Sequence, residues 1–183
     1  MVLESLDMKV EVRKPPISAS SGALIRCGHE IVMYERDHKP NIPHPGKLGI
    51  IGGGVEIDPG TQKPETPLRA LQREIEEEIG IKVAPNQIQY LGTLVAGDDQ
   101  DHVKHISAVD ITQEQKTNLK KGKEGRKILT FSADNLPRED ELVPDLKVFF
   151  VDNRKALVDW LNGSRINAQD IGLNSSPLSD NIT

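Results

Sequence analysis

At 183 residues the chain has the length of one globular domain, with or without a tail, and is long enough to bury a substantial core. A formal net charge of −5 and an aromatic content of 3% argue against a polyanion-coating or base-stacking protein, with Tyr34, Tyr90, Phe131 and Trp160 among the few rings, so no nucleic-acid partner is expected. A single cysteine, Cys27, excludes an intramolecular disulfide, no apolar run approaches the roughly 20 residues that span a bilayer, and the polar N-terminus does not read as a signal peptide; the expectation is a cytoplasmic protein with no membrane partner.

Two apolar stretches, Ala23 to Ile25 and Ile31 to Tyr34, flank Cys-Gly-His-Glu and read as a β-hairpin with a short turn. Three prolines and a glycine mark HKPNIPHPGKLG as a loop, and IIGGGVEI reads as a short strand broken by glycines. Thr66 to Ile79 is the strongest helix: Thr66 suits the N-cap, Pro67 the first helical position, and Gly80 a left-handed C-terminal stop. Leu68, Leu71, Ile75 and Ile79 recur at spacings of three and four and predict one buried stripe. Further on, IQYLGTLVAG and HVKHISAVDIT read as strands joined by an acidic turn at Asp98 to Asp101, TQEQKTNLKKGKEGRK as a polar loop, and ILTFSADNL as a strand ending in a turn. A second helix is predicted from Asn153 to Leu161, with Ala156, Leu157, Trp160 and Leu161 on one face. The polar residues 162–183 read as a tail, which places the domain at 1–161. Strands on either side of a central helix predict a mixed sheet covered by helices.

The central helix carries Glu74, Glu76, Glu77 and Glu78 within five residues. At about 3.6 residues per turn, Glu74, Glu77 and Glu78 share one face beside the apolar stripe, and Glu76 points elsewhere. Like charges one turn apart repel by a few tenths of a kcal/mol, so clustered carboxylates at the rim of a core suit a hard divalent cation, which takes oxygen ligands. The competing reading is a plain solvated helix face.

The surrounding residues decide between these. Arg73, Glu74, Ile75, Glu77, Glu78, Gly80 and Ile81, with Glu65 eight residues before Arg73, resemble the box G-x5-E-x7-R-E-U-x-E-E-x-G-U of the Nudix hydrolases, the MutT-like pyrophosphohydrolases, where U is bulky and apolar. The chain departs from it at Pro59, where the box has glycine; GGGVE resembles the family's GGxxE, so Gly53 is taken as the box glycine and IDPGTQKP as the stretch that holds a six-residue insertion. IVMYERDHKP and KGKEGRKILTFSADNL resemble the strand before the box and a later loop, which extends the likeness over roughly residues 20 to 160.

The resemblance implies an α/β fold, an α/β/α sandwich around a mixed sheet, and Mg²⁺-dependent attack of water on phosphorus in a nucleoside diphosphate derivative, with Mn²⁺ as a substitute metal. It implies Glu74, Glu77, Glu78 and the Gly53 carbonyl as metal ligands. Arg73 joins the catalytic set by fixing the loop over the helix, with Glu65 as its partner, and Glu56 and Gly80 hold the motif. Glu124 is the first candidate for the base, with Glu74 or Glu77 as alternatives, and Arg36 resembles a substrate-contacting arginine. His102 and His105 are weaker candidates in a strand that could face the cleft. Signs that narrow the substrate are absent: Gly97 stands where ADP-ribose hydrolases tend to have proline, and Asp98 and Asp99 where diadenosine polyphosphate hydrolases tend to have tyrosine. The partner is therefore a small nucleotide-type diphosphate, and a homodimer is left open. Two alternatives remain, a ligand sensor without turnover and an isopentenyl diphosphate isomerase-like enzyme; the second is disfavoured because it needs a cysteine in the cleft and Cys27 is read as part of a turn.

Overall fold

A computed structural model describes residues 18–95, 102–123, 125 and 127–175. The acidic turn expected at Asp98 to Asp101 and the candidate base Glu124 lie outside the described residues.

Ten elements of regular structure matter for the site. The chain runs through β1 (Ser18–Cys27), β2 (Glu30–Glu35), β3 (Leu48–Gly49), β4 (Ile51–Gly54), α1 (Pro67–Ile79), β5 (Ile88–Val95), β6 (His102–Asp110), α2 (Gln113–Thr117), β7 (Lys127–Ser132) and α3 (Arg154–Leu161). β1 and β2 form the expected hairpin, turning at Gly28 with φ 60°. β1 is the hub of the seven-stranded mixed sheet: it pairs antiparallel with β2 and β4 and parallel with β6, and β5 and β7 extend the sheet through β6 and β2.

Alternation along the strands sends side chains into two cores. Ala23, Ile25, Val32 and Ile51 face α1, whose Leu71, Ile75 and Ile79 close one layer. Leu24, Ile31, Met33 and Ile106 face the other way, onto Phe149, Phe150, Leu157 and Trp160. Helices therefore cover both faces of the sheet, as the strand and helix order predicts, and the result is the α/β/α sandwich that the resemblance implies.

Thr66 Oγ1 accepts from the Arg69 N–H at 3.2 Å, and Gly80 ends α1 at φ 72°. The stripe differs at its first member, since Leu68 is 39% exposed while Ala70 is fully buried. The stretch that reads as a polar loop begins instead with α2, where Thr112 and Gln115 form a reciprocal capping box that starts a short helix.

The C-terminal expectation is corrected for residues 162–175. Ile166, Ala168, Ile171 and Leu173 are buried in the core beside α3, and Asn174 exchanges backbone hydrogen bonds with Thr93 of the edge strand β5 at 3.0 and 3.1 Å. Four apolar residues among many polar ones carry no repeating period, so the sequence gives no sign of this packing. Covering the β5 edge also satisfies backbone groups that would otherwise stand open.

Candidate active site

α1 is held at both ends, by the sheet at one and by a loop at the other. The buried Ser21 of β1 donates through Oγ to the Pro67 carbonyl at 2.8 Å. At the other end the chain after α2 crosses the last turn, where the Lys120 N–H donates to the Ile79 carbonyl at 2.9 Å and the Gly122 N–H to the Glu78 carbonyl at 2.8 Å. Those are carbonyls that a helix end leaves without internal partners.

Between the glycines of β4, the glutamates of α1 and residues 121–123 lies a cleft of about 810 Å³. Glu74, Glu77 and Glu78 all line it, and Glu76 pairs outside with Lys82 at 3.3 Å. A Cβ on Gly53 would stand 2.2 Å from Glu74 Oε1, so the carboxylate lies directly against this glycine. The Gly52 N–H donates to Glu78 Oε2 at 2.9 Å. Glu74 is mostly covered, with 14% of its side chain exposed, whereas Glu77 is 61% exposed at the mouth.

Arg73 ties the loop to the helix. Its Nη2 donates to Glu65 Oε1 at 2.6 Å and to the Gly54 carbonyl at 2.8 Å, and its Nη1 donates to Glu74 Oε1 at 2.7 Å and Glu77 Oε2 at 3.4 Å. Glu56 Oε1 lies 3.6 Å away, and the Glu56 N–H donates to Glu65 Oε1 at 3.1 Å. The hydrogen bond that Arg73 donates to Glu65 raises the Arg73 pKa against the opposing effect of burial, with Glu74 adding to it. Burial acts to raise Glu65, but Arg73 and the Glu56 N–H together outweigh it and hold the carboxyl below the usual range.

The stretch IDPGTQKP, which holds the insertion, closes on itself. Ile57 bridges Pro64, and Asp58 accepts from the N–H groups of Gly60 and Thr61 at 2.7 and 3.0 Å. Glu56 and Glu65 therefore emerge side by side, with the Glu65 N–H donating to the Glu56 carbonyl at 2.8 Å. That lets Gly53, rather than Pro59, stand against the helix.

Other candidates lie apart from this cleft. Arg36 donates to the Pro43 carbonyl at 2.9 Å and the Tyr34 hydroxyl at 3.1 Å, in a separate small pocket with Asp37 and Gly125. His102 shares a hydrogen bond with Ser20 Oγ at 2.9 Å, and His105 with the Tyr90 hydroxyl at 3.2 Å; neither lines the cleft. Cys27 ends β1 and is buried, so it supplies no nucleophile for an isomerase reading. Trp160 is buried under the Arg26 guanidinium at 4.8 Å and is closed to a base. Lys121, Gly122 and Lys123 also line the cleft; their only mark in the sequence is a glycine between two lysines in the stretch that also holds Glu124.

The donor set is oxygen only, on one helix face, with the small cradle that Gly53 leaves for the Glu74 carboxylate. This fits a hard divalent cation in chemistry and placement. Among the described residues no three acidic, cysteine or histidine side chains converge closely enough to hold one as they stand, so the side chains must turn to do so. Glu74 spends an oxygen on Arg73, and Glu78 spends one on the Gly52 N–H. No helix among the described residues is long and apolar enough to cross a membrane.

The family model of the NUDIX domain matches residues 16–151. Among solved structures, the chain is 20% identical to a MutT protein from Methanosarcina mazei Go1, covering 80% of this chain and 96% of that one at a TM-score of 0.57. A MutT/nudix family protein from Enterococcus faecalis is 20% identical at a TM-score of 0.52; the match covers 70% of this chain but spans about half, 47%, of that protein. A bifunctional NMN adenylyltransferase/ADP ribose pyrophosphatase from Francisella tularensis, complexed with AMP and a manganese ion, is 15% identical at a TM-score of 0.50, covering 75% of this chain and 42% of that one. At these identities the likeness is one of fold.

Proposed function

The chain belongs to the Nudix family and is a Nudix hydrolase, and from that premise we propose that it hydrolyses, with Mg²⁺, a diphosphate linkage in a nucleotide, nucleotide sugar or dinucleotide. The observation that carries this reading is the placement of Glu74, Glu77 and Glu78 on one face of α1, lining one cleft, with Glu74 against Gly53. The four glutamates that line the cleft, Glu56, Glu74, Glu77 and Glu78, repel an anionic diphosphate by themselves. Mg²⁺, or Mn²⁺ in its place, held by Glu74, Glu77, Glu78 and the Gly53 carbonyl, would neutralise substrate and transition-state charge. The fold neighbour carrying AMP and manganese supports that class of ligand and metal.

The chain's own residues supply position and proton transfer. Arg73 holds Glu74 and the Gly54–Glu65 loop in register. The oxygen of water bonds to phosphorus, the bridging P–O bond breaks, and the proton passes to a carboxylate. Glu124 is proposed as that base on the family likeness, with Glu77 as the alternative because it stands exposed at the cleft mouth. Arg36 is proposed as a substrate contact, in the separate pocket beside Tyr34.

The test is product release from nucleoside triphosphates, ADP-ribose, nucleotide sugars and dinucleotides, with Mg²⁺ and with a chelator, for wild type, Glu77→Gln and Glu78→Gln. Metal-dependent hydrolysis abolished in both variants is expected. Ligand binding with no turnover of any compound would replace the reading with a sensor.

A further inference from the structure

We propose that Lys123 is a substrate-binding residue that holds a phosphate oxygen of the diphosphate, and that Gly122 positions it; this rests on the diphosphate-hydrolase reading above. Three cations line the cleft: Arg73, Lys121 and Lys123. Arg73 is committed to Glu65, Glu74 and the Gly54 carbonyl. Lys121 turns back on its own loop, donating through Nζ to the Gly122 carbonyl at 2.7 Å and the Gly125 carbonyl at 3.1 Å. Lys123 is exposed, and its ammonium makes neither hydrogen bond nor ion pair with any described residue. An ammonium on a flexible stem, uncommitted within an otherwise acidic cleft, is suited to an anionic oxygen that a metal ion leaves open.

Its position follows from backbone contact. The Gly122 N–H donates to the Glu78 carbonyl at 2.8 Å, and a Cβ on Gly122 would fall 1.8 Å from the Glu77 carbonyl oxygen and 3.0 Å from the Glu78 Cα. The loop is therefore seated main chain to main chain on the turn of α1 that carries Glu77 and Glu78. The neighbouring Lys123 is fixed relative to those carboxylates by the helix itself. Any side chain at 122 would lift the loop, because the atoms it meets are backbone.

The experiment measures binding of imidodiphosphate, a non-hydrolysable diphosphate, by calorimetry with Mg²⁺, beside steady-state kinetics on the best substrate of the panel. Lys123→Ala is expected to weaken imidodiphosphate roughly tenfold and raise KM similarly with kcat little changed, as loss of one charged contact predicts. Lys123→Arg should restore most of the affinity, and Lys63→Ala, an exposed lysine on the insertion, should bind as wild type. Gly122→Ala should weaken binding as much as Lys123→Ala, and adding Lys123→Ala to it should cost nothing further. Unchanged binding in Lys123→Ala, or an equal loss in Lys63→Ala, overturns the assignment while a hydrolysing wild type keeps the parent reading. Additive effects of the two loop substitutions overturn the positioning role of Gly122. A wild type that neither binds imidodiphosphate nor hydrolyses any compound removes both proposals together.

Discussion

Gly53 and Glu74 are in direct apposition: a Cβ on the glycine would stand 2.2 Å from Oε1 of the glutamate. Because the obstructed atoms are the end of a flexible side chain, Gly53→Ala can be accommodated by moving Glu74 alone. The expected result is a protein within about 1 kcal/mol of wild-type stability that has lost about 100-fold in kcat, the scale of a misplaced catalytic group. Gly52→Ala should behave oppositely, since its Cβ would meet the Ser21 carbonyl oxygen at 2.0 Å and the Gly22 Cα at 2.7 Å. Backbone cannot yield in the same way, and a stability loss of about 3 kcal/mol or more is expected. Denaturant melts beside the activity assay separate the two.

Arg73 bonds through its planar fork to Glu65, Glu74 and the Gly54 carbonyl at once. A lysine has one point of charge and cannot reproduce that geometry. Arg73→Lys should therefore lose about 1–3 kcal/mol and most of the activity, and Glu65→Gln combined with Arg73→Lys should be less damaging than the sum of the two. A fully additive cycle in urea would show that the pair is not coupled.

Burial lowers the His105 pKa, so the folded protein favours the neutral ring. With the folded value depressed below the unfolded value of about 6.5, this contribution to stability is complete above pH ~6.5 and is lost as pH falls through the folded value. The slope stays below the one-proton limit of about 1.4 kcal/mol per pH unit. Measured between pH 7.5 and 5, the stability of wild type minus that of His105→Gln should decline toward acid; a flat difference would count against the buried neutral ring.

Ile171 is fully buried beyond the end of α3. Ile171→Ala should cost about 2–5 kcal/mol, and deletion of residues 162–183 should cost more, because Ile166 and Leu173 leave the same core. If the deletion variant melts like wild type, residues 162–175 do not contribute to the domain.

Local order in the sequence determined α1 almost completely. Thr66, Pro67 and Gly80 encode its ends, and Leu71, Ile75 and Ile79 its buried face. Once that face is fixed, the helical period alone sends Glu74, Glu77 and Glu78 to a common side and Glu76 away from it. The β1–β2 hairpin was legible for the same reason, since turn and strand signals lie within a few residues of one another. The capping box at Thr112 and Gln115 was also local, though it lay within a polar stretch.

What the tertiary structure decided was contact between segments distant in the chain. Gly122 meets Glu77 and Glu78 across more than forty positions, and neither segment carries a period that announces the other. Ile166, Ile171 and Leu173 are apolar at irregular intervals, and only the other core and the open edge of β5 make them interior. Closure of the insertion, which returns Glu65 to Glu56, likewise depends on the Ile57–Pro64 bridge. Periodicity records which face of an element is buried; the partner that buries it, and the loop brought over a site, are set by packing whose entropy of closure only the whole fold offsets.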